Sequence, residues 1–142
     1  MKKIIFVCHG NICRSVAAEY IMKSLTKDFE ISSRAVSREE TGNDIYPPMK
    51  KELEKNNIPF SKHSARIIDL KDFKEADYIF YMDESNYYYL RKMLPYNSKT
   101  FPIYHYTPSI SEIEDPWYTG NFEKVVNDLT TCIKDIIKNL SE

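Results

Sequence analysis

The residues with the clearest chemical potential lie near the start of the chain, in the stretch CHGNICRS, which begins at Cys8 and ends at Ser15. An ionised Cys8 is a nucleophile, and Arg14 carries a guanidinium that can bind two oxygens of a phosphate group. Gly10 allows the backbone to wrap tightly around an oxyanion. A helix that begins near Arg14 favours both a bound anion and a thiolate, and the Ser15 hydroxyl can donate to the sulfur. The stretch therefore predicts an oxyanion site with a reactive cysteine at its base.

The elements that must position this stretch are predicted from hydrophobic periodicity and turn residues. Apolar runs predict strands at residues 3–7, 30–36, 78–82 and 99–104. Amphipathic or capped segments predict helices at residues 14–27, 45–57, 70–76, 83–94 and about 121–140, the fourth ending before Pro95. Strands that alternate with helices predict an α/β fold, a three-layer sandwich around a parallel sheet. Ligands of such folds bind beyond the carboxyl ends of the strands, and CHGNICRS follows the first strand directly.

A second candidate region is the stretch EDPWYTG, which contains Asp115. Cleavage of a phosphoester needs a proton for the leaving group, and Asp115 is the best candidate for that acid. It ends an irregular segment at 104–115, and segments of that length are often functional. Trp117 and Tyr118 follow and can flank an aromatic leaving group. An Asp before Pro116 is also common in turns, and Cys8 can equally be a small buried side chain, so these residues alone leave both interpretations open.

Composition narrows the function classes. The 142 residues suit one domain, and a net charge of −1 gives no general attraction to nucleic acid or to an anionic membrane. Three cysteines cannot form a paired disulfide framework, which indicates a reducing compartment. The first apolar run is too short for a signal peptide, and no run is long enough to span a membrane, so we expect a cytoplasmic protein. Cys8, His9 and Cys13 lack zinc-finger spacing, and no metal site is predicted.

Four motifs together resemble those of the low-molecular-weight protein tyrosine phosphatases. They are VCHGNICRS, HSAR from His63, YMDESN from Tyr81 and EDPWYTGNFE from Glu114, and they occur in the family's order and at its usual separations. The resemblance spans the chain as a single phosphatase domain, 1–142. It implies a four-stranded, parallel, twisted sheet with helices on both faces, in a flavodoxin-like topology. It also implies hydrolysis of phosphotyrosine without a cofactor.

The resemblance assigns roles to individual residues. Cys8 resembles the nucleophile that forms a cysteinyl-phosphate intermediate, Arg14 the phosphate clamp, and Asp115 the general acid and base. The implied phosphate-binding loop consists of His9, Gly10, Asn11, Ile12, Cys13 and Ser15. Asn11, Ser15, Ser33 and His63 resemble a network that holds this loop in shape. Cys13 matches a second loop cysteine that can pair with an oxidised Cys8.

The predicted pocket rim consists of Glu39, Glu40, Trp117 and Tyr118. Many relatives carry an aromatic residue where Glu39 stands, so the two glutamates are expected to weaken binding of an aromatic ring and to favour basic or small substrates. Replacing Glu39 by Trp is expected to lower KM for aryl phosphates. The expected ligands are a phosphotyrosine protein or a small aryl phosphate, with phosphate-like oxyanions as inhibitors, and the expected state is a monomer.

Three other functions are weighed against this one. Related phosphoarginine phosphatases usually carry Thr at the position of Ile12, so the apolar side chain favours phosphotyrosine. Thiol-dependent arsenate reductases relay oxidation through further cysteines on a mobile segment, whereas the one other cysteine here, Cys132, falls on the apolar stripe of the last helix. A module that only binds phosphate has no need of Cys8, Arg14 and Asp115 together.

Overall fold

A parallel sheet forms the centre of the molecule. The computed structural model describes residues 1–94 and 97–141, and within them the strands are Lys2–Cys8 (β1), Phe29–Ala35 (β2), Tyr78–Tyr81 (β3) and Thr100–Pro102 (β4). All neighbouring strands pair in parallel, in the order β2-β1-β3-β4. This order gives the flavodoxin-like switch point between β1 and β3, so the predicted fold class is confirmed.

Six α-helices surround the sheet in the described part of the chain. They are Arg14–Leu25 (α1), Pro47–Lys55 (α2), Leu70–Glu75 (α3), Glu84–Met93 (α4), Pro116–Thr119 (α5) and Phe122–Leu140 (α6). The prediction missed α5, which is a single turn, and extended the fourth strand too far. That strand ends at Pro102 because a 3₁₀ helix, Ile103–Tyr106, follows at once. Pro95, which was predicted to end α4, lies outside the described residues.

The two faces of the sheet bury different side chains of β1. Ile4 and Phe6 pack towards α1, α2 and α6, whereas Ile5 and Val7 pack towards α3 and α4. This alternation explains why β1 is an uninterrupted apolar run, because both of its faces are buried. Cys132 on α6 is 0% exposed and belongs to the first core, as predicted from its place on the apolar stripe.

Strand register brings several loops to one edge of the sheet. Cys8 is the last residue of β1 and pairs with Ala35 at the end of β2, while Val7 pairs with Tyr81 at the end of β3. The segments that follow β1, β2 and β3 therefore leave the sheet side by side, at its carboxyl edge. In the described residues, no helix has both the length and the apolar character needed to cross a membrane.

Candidate active site

The connection from β1 to α1 is a short loop that ends on a helix N-terminus. Cys8 closes β1 and is 3% exposed, and Arg14 is the first residue of α1. Asn11, not Gly10, has the left-handed backbone that the turn requires, with φ of 62°. A Cβ at Gly10 would lie 3.1 Å from the Cγ of Glu40, a tight contact that a small shift of the Glu40 side chain relieves. The prediction that Gly10 supplies the special backbone conformation of this loop is therefore wrong, because Asn11 supplies it.

Within the described residues, the Cys8 sulfur makes two hydrogen-bond contacts, both with Ser15. It lies 3.1 Å from Ser15 Oγ, and Ser15 N donates to it at 3.4 Å. Asn11 Nδ2 donates to Ser15 Oγ at 2.8 Å, which leaves the Ser15 hydroxyl hydrogen available for a sulfur anion. The N-terminus of α1 adds a favourable dipole at the same place. The Ser15 donors and the helix N-terminus would stabilise a negative charge on the sulfur, and the nucleophilic role of Cys8 stays a prediction.

Arg14 is held in one orientation by three acceptors. Its side chain is 3% exposed, and Nη1 donates to Asp83 Oδ2 at 2.7 Å and to the Ile113 carbonyl at 2.8 Å. Nη2 lies 3.5 Å from Asp115 Oδ2. Burial works to lower the pKa of Arg14, but the charges of Cys8 and Asp83 outweigh it and raise that pKa above its ordinary value. The guanidinium is therefore a permanent cation beside the sulfur.

Asp115 stands at the mouth of the same cavity. It caps α5, with Oδ1 accepting from Trp117 N at 3.0 Å, so its other oxygen is left to face Arg14. Its side chain is 28% exposed and can exchange protons with solvent. The cavity measures about 390 Å³ and includes Cys8, Arg14 and Asp115 in its lining. A larger cavity of about 580 Å³ lies at the opposite edge of the sheet, but none of these three groups lines it.

The predicted rim residues all line the cavity. Glu39 Oε2 lies 3.1 Å from His9 Nε2, and the Glu39 side chain is 70% exposed. On the other side, the ring of Trp117 packs at 4.8 Å from the ring of Tyr46. Tyr46 N in turn donates to the Ile12 carbonyl at 2.9 Å. This bond connects the aromatic pair to the predicted oxyanion loop, which is the segment 9–13 between β1 and α1. The cavity therefore has one acidic side and one aromatic side.

Two residues predicted to support the loop, His63 and Ser33, contact different parts of the molecule. His63 Nε2 donates to the Asn11 carbonyl at 2.6 Å, so it contacts the loop as expected. The hydroxyl of Ser33 instead donates to Glu19 on α1 at 2.6 Å. Ser33 pairs with Phe6 in the sheet, two residues before Cys8, and its side chain therefore braces α1 rather than the loop.

The second loop cysteine is a neutral thiol. Burial, together with the charges of Cys8 and Asp115, raises the pKa of Cys13 far above its ordinary value. Cys8, Cys13 and Cys132 are all free thiols. Among residues 1–94 and 97–141, no group of three or more His, Cys, Asp or Glu side chains is arranged to bind a metal ion.

Comparison with known proteins places the chain in a family. Residues 3–142 match the family model described as low molecular weight phosphotyrosine protein phosphatase. The chain belongs to this family. It is 34% identical to low molecular weight phosphotyrosine protein phosphatase 1 of Drosophila melanogaster, over 94% of this chain and 91% of that protein. It is 32% identical to the phosphatase PtpA of Staphylococcus aureus, over 96% and 92%.

Solved structures agree with that assignment. The crystal structure of the low molecular weight protein tyrosine phosphatase SP-PTP from Streptococcus pyogenes superposes with a TM-score of 0.92 and 34% identity. The match covers 100% of this chain and 95% of that one. The protein is therefore a phosphatase, and the resemblance noted in the sequence is confirmed.

Asp83 was assigned no role in the candidate site from the sequence alone. Its Oδ1 caps α4 by accepting from Asn86 N at 2.8 Å, and its Oδ2 binds Arg14. A signal was present, because Asp83 closely follows β3, whose carboxyl end lies next to that of β1. Tyr46 was also missed, since nothing local in the sequence shows that it packs against Trp117.

Proposed function

We propose that this protein hydrolyses phosphotyrosine monoesters through a cysteinyl-phosphate intermediate on Cys8. The observation that carries the proposal is the shared cavity of Cys8, Arg14 and Asp115, in which a nucleophile, an anion clamp and a proton donor face the same space. Membership in the phosphatase family supports the reaction type. Residues 1–142 act as one catalytic domain.

In the first step the Cys8 thiolate attacks phosphorus. The phosphate lies in the loop, bound by backbone N–H groups and by Arg14. The bond between phosphorus and the phenolic oxygen breaks, and its electron pair goes to that oxygen. Protonated Asp115 gives its proton to the oxygen, so that tyrosine leaves as a neutral phenol. The fixed cation and dipoles stabilise the charge that builds on the phosphoryl oxygens.

In the second step a water molecule attacks the cysteinyl phosphate. Asp115, now a carboxylate, takes a proton from that water, and the sulfur–phosphorus bond breaks. The electron pair returns to Cys8 as a thiolate, which the Ser15 hydroxyl stabilises by donating to it. Ser15 is suited to this role because Asn11 fixes its oxygen. Inorganic phosphate and similar oxyanions compete for the loop and inhibit the enzyme.

Substrate class follows from the walls of the cavity. Trp117, supported by Tyr46, offers a flat face to an aromatic ring. Ile12 lines the cavity with an apolar side chain, which favours a phenyl ring over a guanidinium. An arsenate reductase relay lacks its third thiol, because Cys132 is fully buried in the core. The free catalytic thiol suits a reducing compartment such as the cytoplasm, where we expect the protein to act as a monomer.

A substrate panel tests this function. We expect release of phosphate from p-nitrophenyl phosphate and from phosphotyrosine peptides, and little from phosphoserine or phosphoarginine peptides. Cys8→Ser is expected to lower the rate by about 10⁴-fold or more, since a serine hydroxyl is not ionised there. Cys132→Ala is the matched control, because it removes a thiol outside the cavity. Faster hydrolysis of phosphoarginine than of phosphotyrosine would contradict the proposal.

A further inference from the structure

The carboxylate of Asp44 connects its own segment to α2 and to the segment that carries His63. It lies in the connection before α2, and Oδ2 accepts from Lys50 Nζ on α2 at 2.7 Å. Oδ1 accepts from two backbone groups, Ile45 N at 2.8 Å and His63 N at 3.0 Å. Asp44 does not line the active-site cavity. Its use of both oxygens fixes the backbone of the segment that carries His63.

His63 passes that constraint to the oxyanion loop. Its Nε2 donates to the Asn11 carbonyl at 2.6 Å, so the position of the His63 backbone sets the direction of this bond. Asn11 has a left-handed backbone, which is less favourable for residues other than glycine, although Asn adopts it more readily than most. The bond from His63 helps to hold it there. The side chain of Asn11 orients Ser15, and Ser15 contacts the Cys8 sulfur. A continuous series of contacts therefore leads from Asp44 to the nucleophile.

We propose that Asp44 is a positioning residue which, through His63, keeps the oxyanion loop in the shape that binds a phosphoryl group. The inference rests on the proposed function, since it concerns the same loop. Asp44 does not touch the substrate, and its effect on the loop passes mainly through His63 and Asn11. Asp44 does not line the cavity and has no hydrogen bond to Cys8, Arg14 or Asp115.

The charge of Asp44 persists over the range in which the enzyme would work. The hydrogen bond from Lys50, helped by those from Ile45 and His63, lowers the pKa of Asp44 from 3.8 to about 2. A lowered pKa in the folded state contributes stability above about pH 3.8, and that contribution is lost as the pH falls towards 2. The contacts of Asp44 are thus intact at every pH at which phosphate hydrolysis would be assayed.

The first test compares Asp44→Ala with Asp77→Ala. Asp77 Oδ2 also accepts from a backbone group, Lys3 N at 2.7 Å, but it lines the cavity at the opposite edge of the sheet. Asp44→Ala is expected to lower kcat/KM for p-nitrophenyl phosphate about tenfold and to raise the inhibition constant of inorganic phosphate by about the same factor. Asp77→Ala is expected to change both by less than about twofold. Thermal unfolding of both variants measures the loss of stability separately.

A double-mutant cycle distinguishes positioning from a general loss of stability. If Asp44 acts through His63, Asp44→Ala has little further effect on kcat/KM and on phosphate inhibition once His63→Ala is present. Asp44→Asn keeps an oxygen for the two backbone groups and should restore most of the activity that Asp44→Ala loses. Independent, multiplying effects of the two alanine variants would overturn the inference, as would full activity in Asp44→Ala. An inactive wild-type enzyme would instead refute the proposed function.

Discussion

The floor and the rim of the cavity are built in opposite ways. The floor is defined as Cys8 and Arg14, which line the cavity, together with Asn11 and Ser15, whose hydrogen bonds lead to the Cys8 sulfur. None of these four residues is more than 3% exposed. The rim consists of Glu39, Glu40, Trp117 and Tyr118, of which Trp117 is 53% and Tyr118 84% exposed. Floor side chains each have fixed hydrogen-bond partners, whereas the Trp117 and Tyr118 side chains are largely in solvent. This difference indicates that the groups which carry out the reaction are fixed by burial, whereas the exposed rim residues select the substrate.

Electrostatics follow the same division. Arg14 is buried and held by fixed hydrogen bonds, so its charge is already oriented before substrate arrives. The Glu39–His9 pair lies at the surface, where solvent and salt weaken its interaction. Substitutions in the floor should therefore lower activity much more than substitutions in the rim. Asp115 is intermediate in exposure, but its substitution should lower activity as strongly as a change in the floor.

Asp115→Asn should give the largest effect of the substitutions that preserve the floor. The amide can still accept from Trp117 N and cap α5, but it cannot protonate the leaving group. We expect kcat for a phosphotyrosine peptide to fall by about 10²–10⁴-fold. The loss should be smaller for p-nitrophenyl phosphate, whose leaving group needs less protonation. Steady-state kinetics with both substrates measure this, and an equal loss for both would remove Asp115 from its role as acid.

Asp83→Asn should give an intermediate effect. The amide keeps the cap on α4, but it loses the charged contact that orients Arg14. We expect kcat/KM to fall by about 10- to 100-fold, with weaker inhibition by inorganic phosphate. Asp69→Asn is the matched control, because Asp69 caps α3 in the same way. Equal effects of the two variants on phosphate inhibition would show that Asp83 serves only its helix.

Substitution of Glu39 should give the smallest effect. Glu39→Trp places an aromatic side chain on the acidic side of the cavity and should lower KM for aryl phosphates by about two- to fivefold. Glu39→Gln removes only the charge and should mainly reduce the preference for peptides with lysine or arginine beside the phosphotyrosine. A panel of basic and acidic phosphotyrosine peptides checks both variants. No change in KM for either variant would exclude Glu39 from substrate choice.

Much of the fold could be predicted because its signals are local. The apolar run of β1 and the stripe of α6 specify buried elements by periodicity alone. The single turn of α5 and the 3₁₀ helix after Pro102 are too short to leave such a pattern. Long elements can therefore be predicted from the sequence, whereas these two short helices cannot.

The site was predictable to the extent that its residues are close in sequence. Cys8, Arg14 and Ser15 lie within one loop and one helical turn, so their meeting follows from local geometry. Asp83 meets Arg14 across 69 positions, and His63 meets Asn11 across 52, which only the packed fold can decide. Ser33 shows the same limit, because the strand register turned its hydroxyl towards Glu19.

The central claim is that the Cys8 sulfur carries the phosphoryl group between substrate and water. Acid quenching during turnover of p-nitrophenyl phosphate, followed by mass spectrometry of proteolytic peptides, tests it directly. We predict one phosphoryl group on the peptide that contains Cys8, formed along with an initial burst of p-nitrophenol and absent from Cys8→Ser. Complete turnover with no phosphorus bound to the protein at any time, or a phosphoryl group on a different residue, would contradict the account.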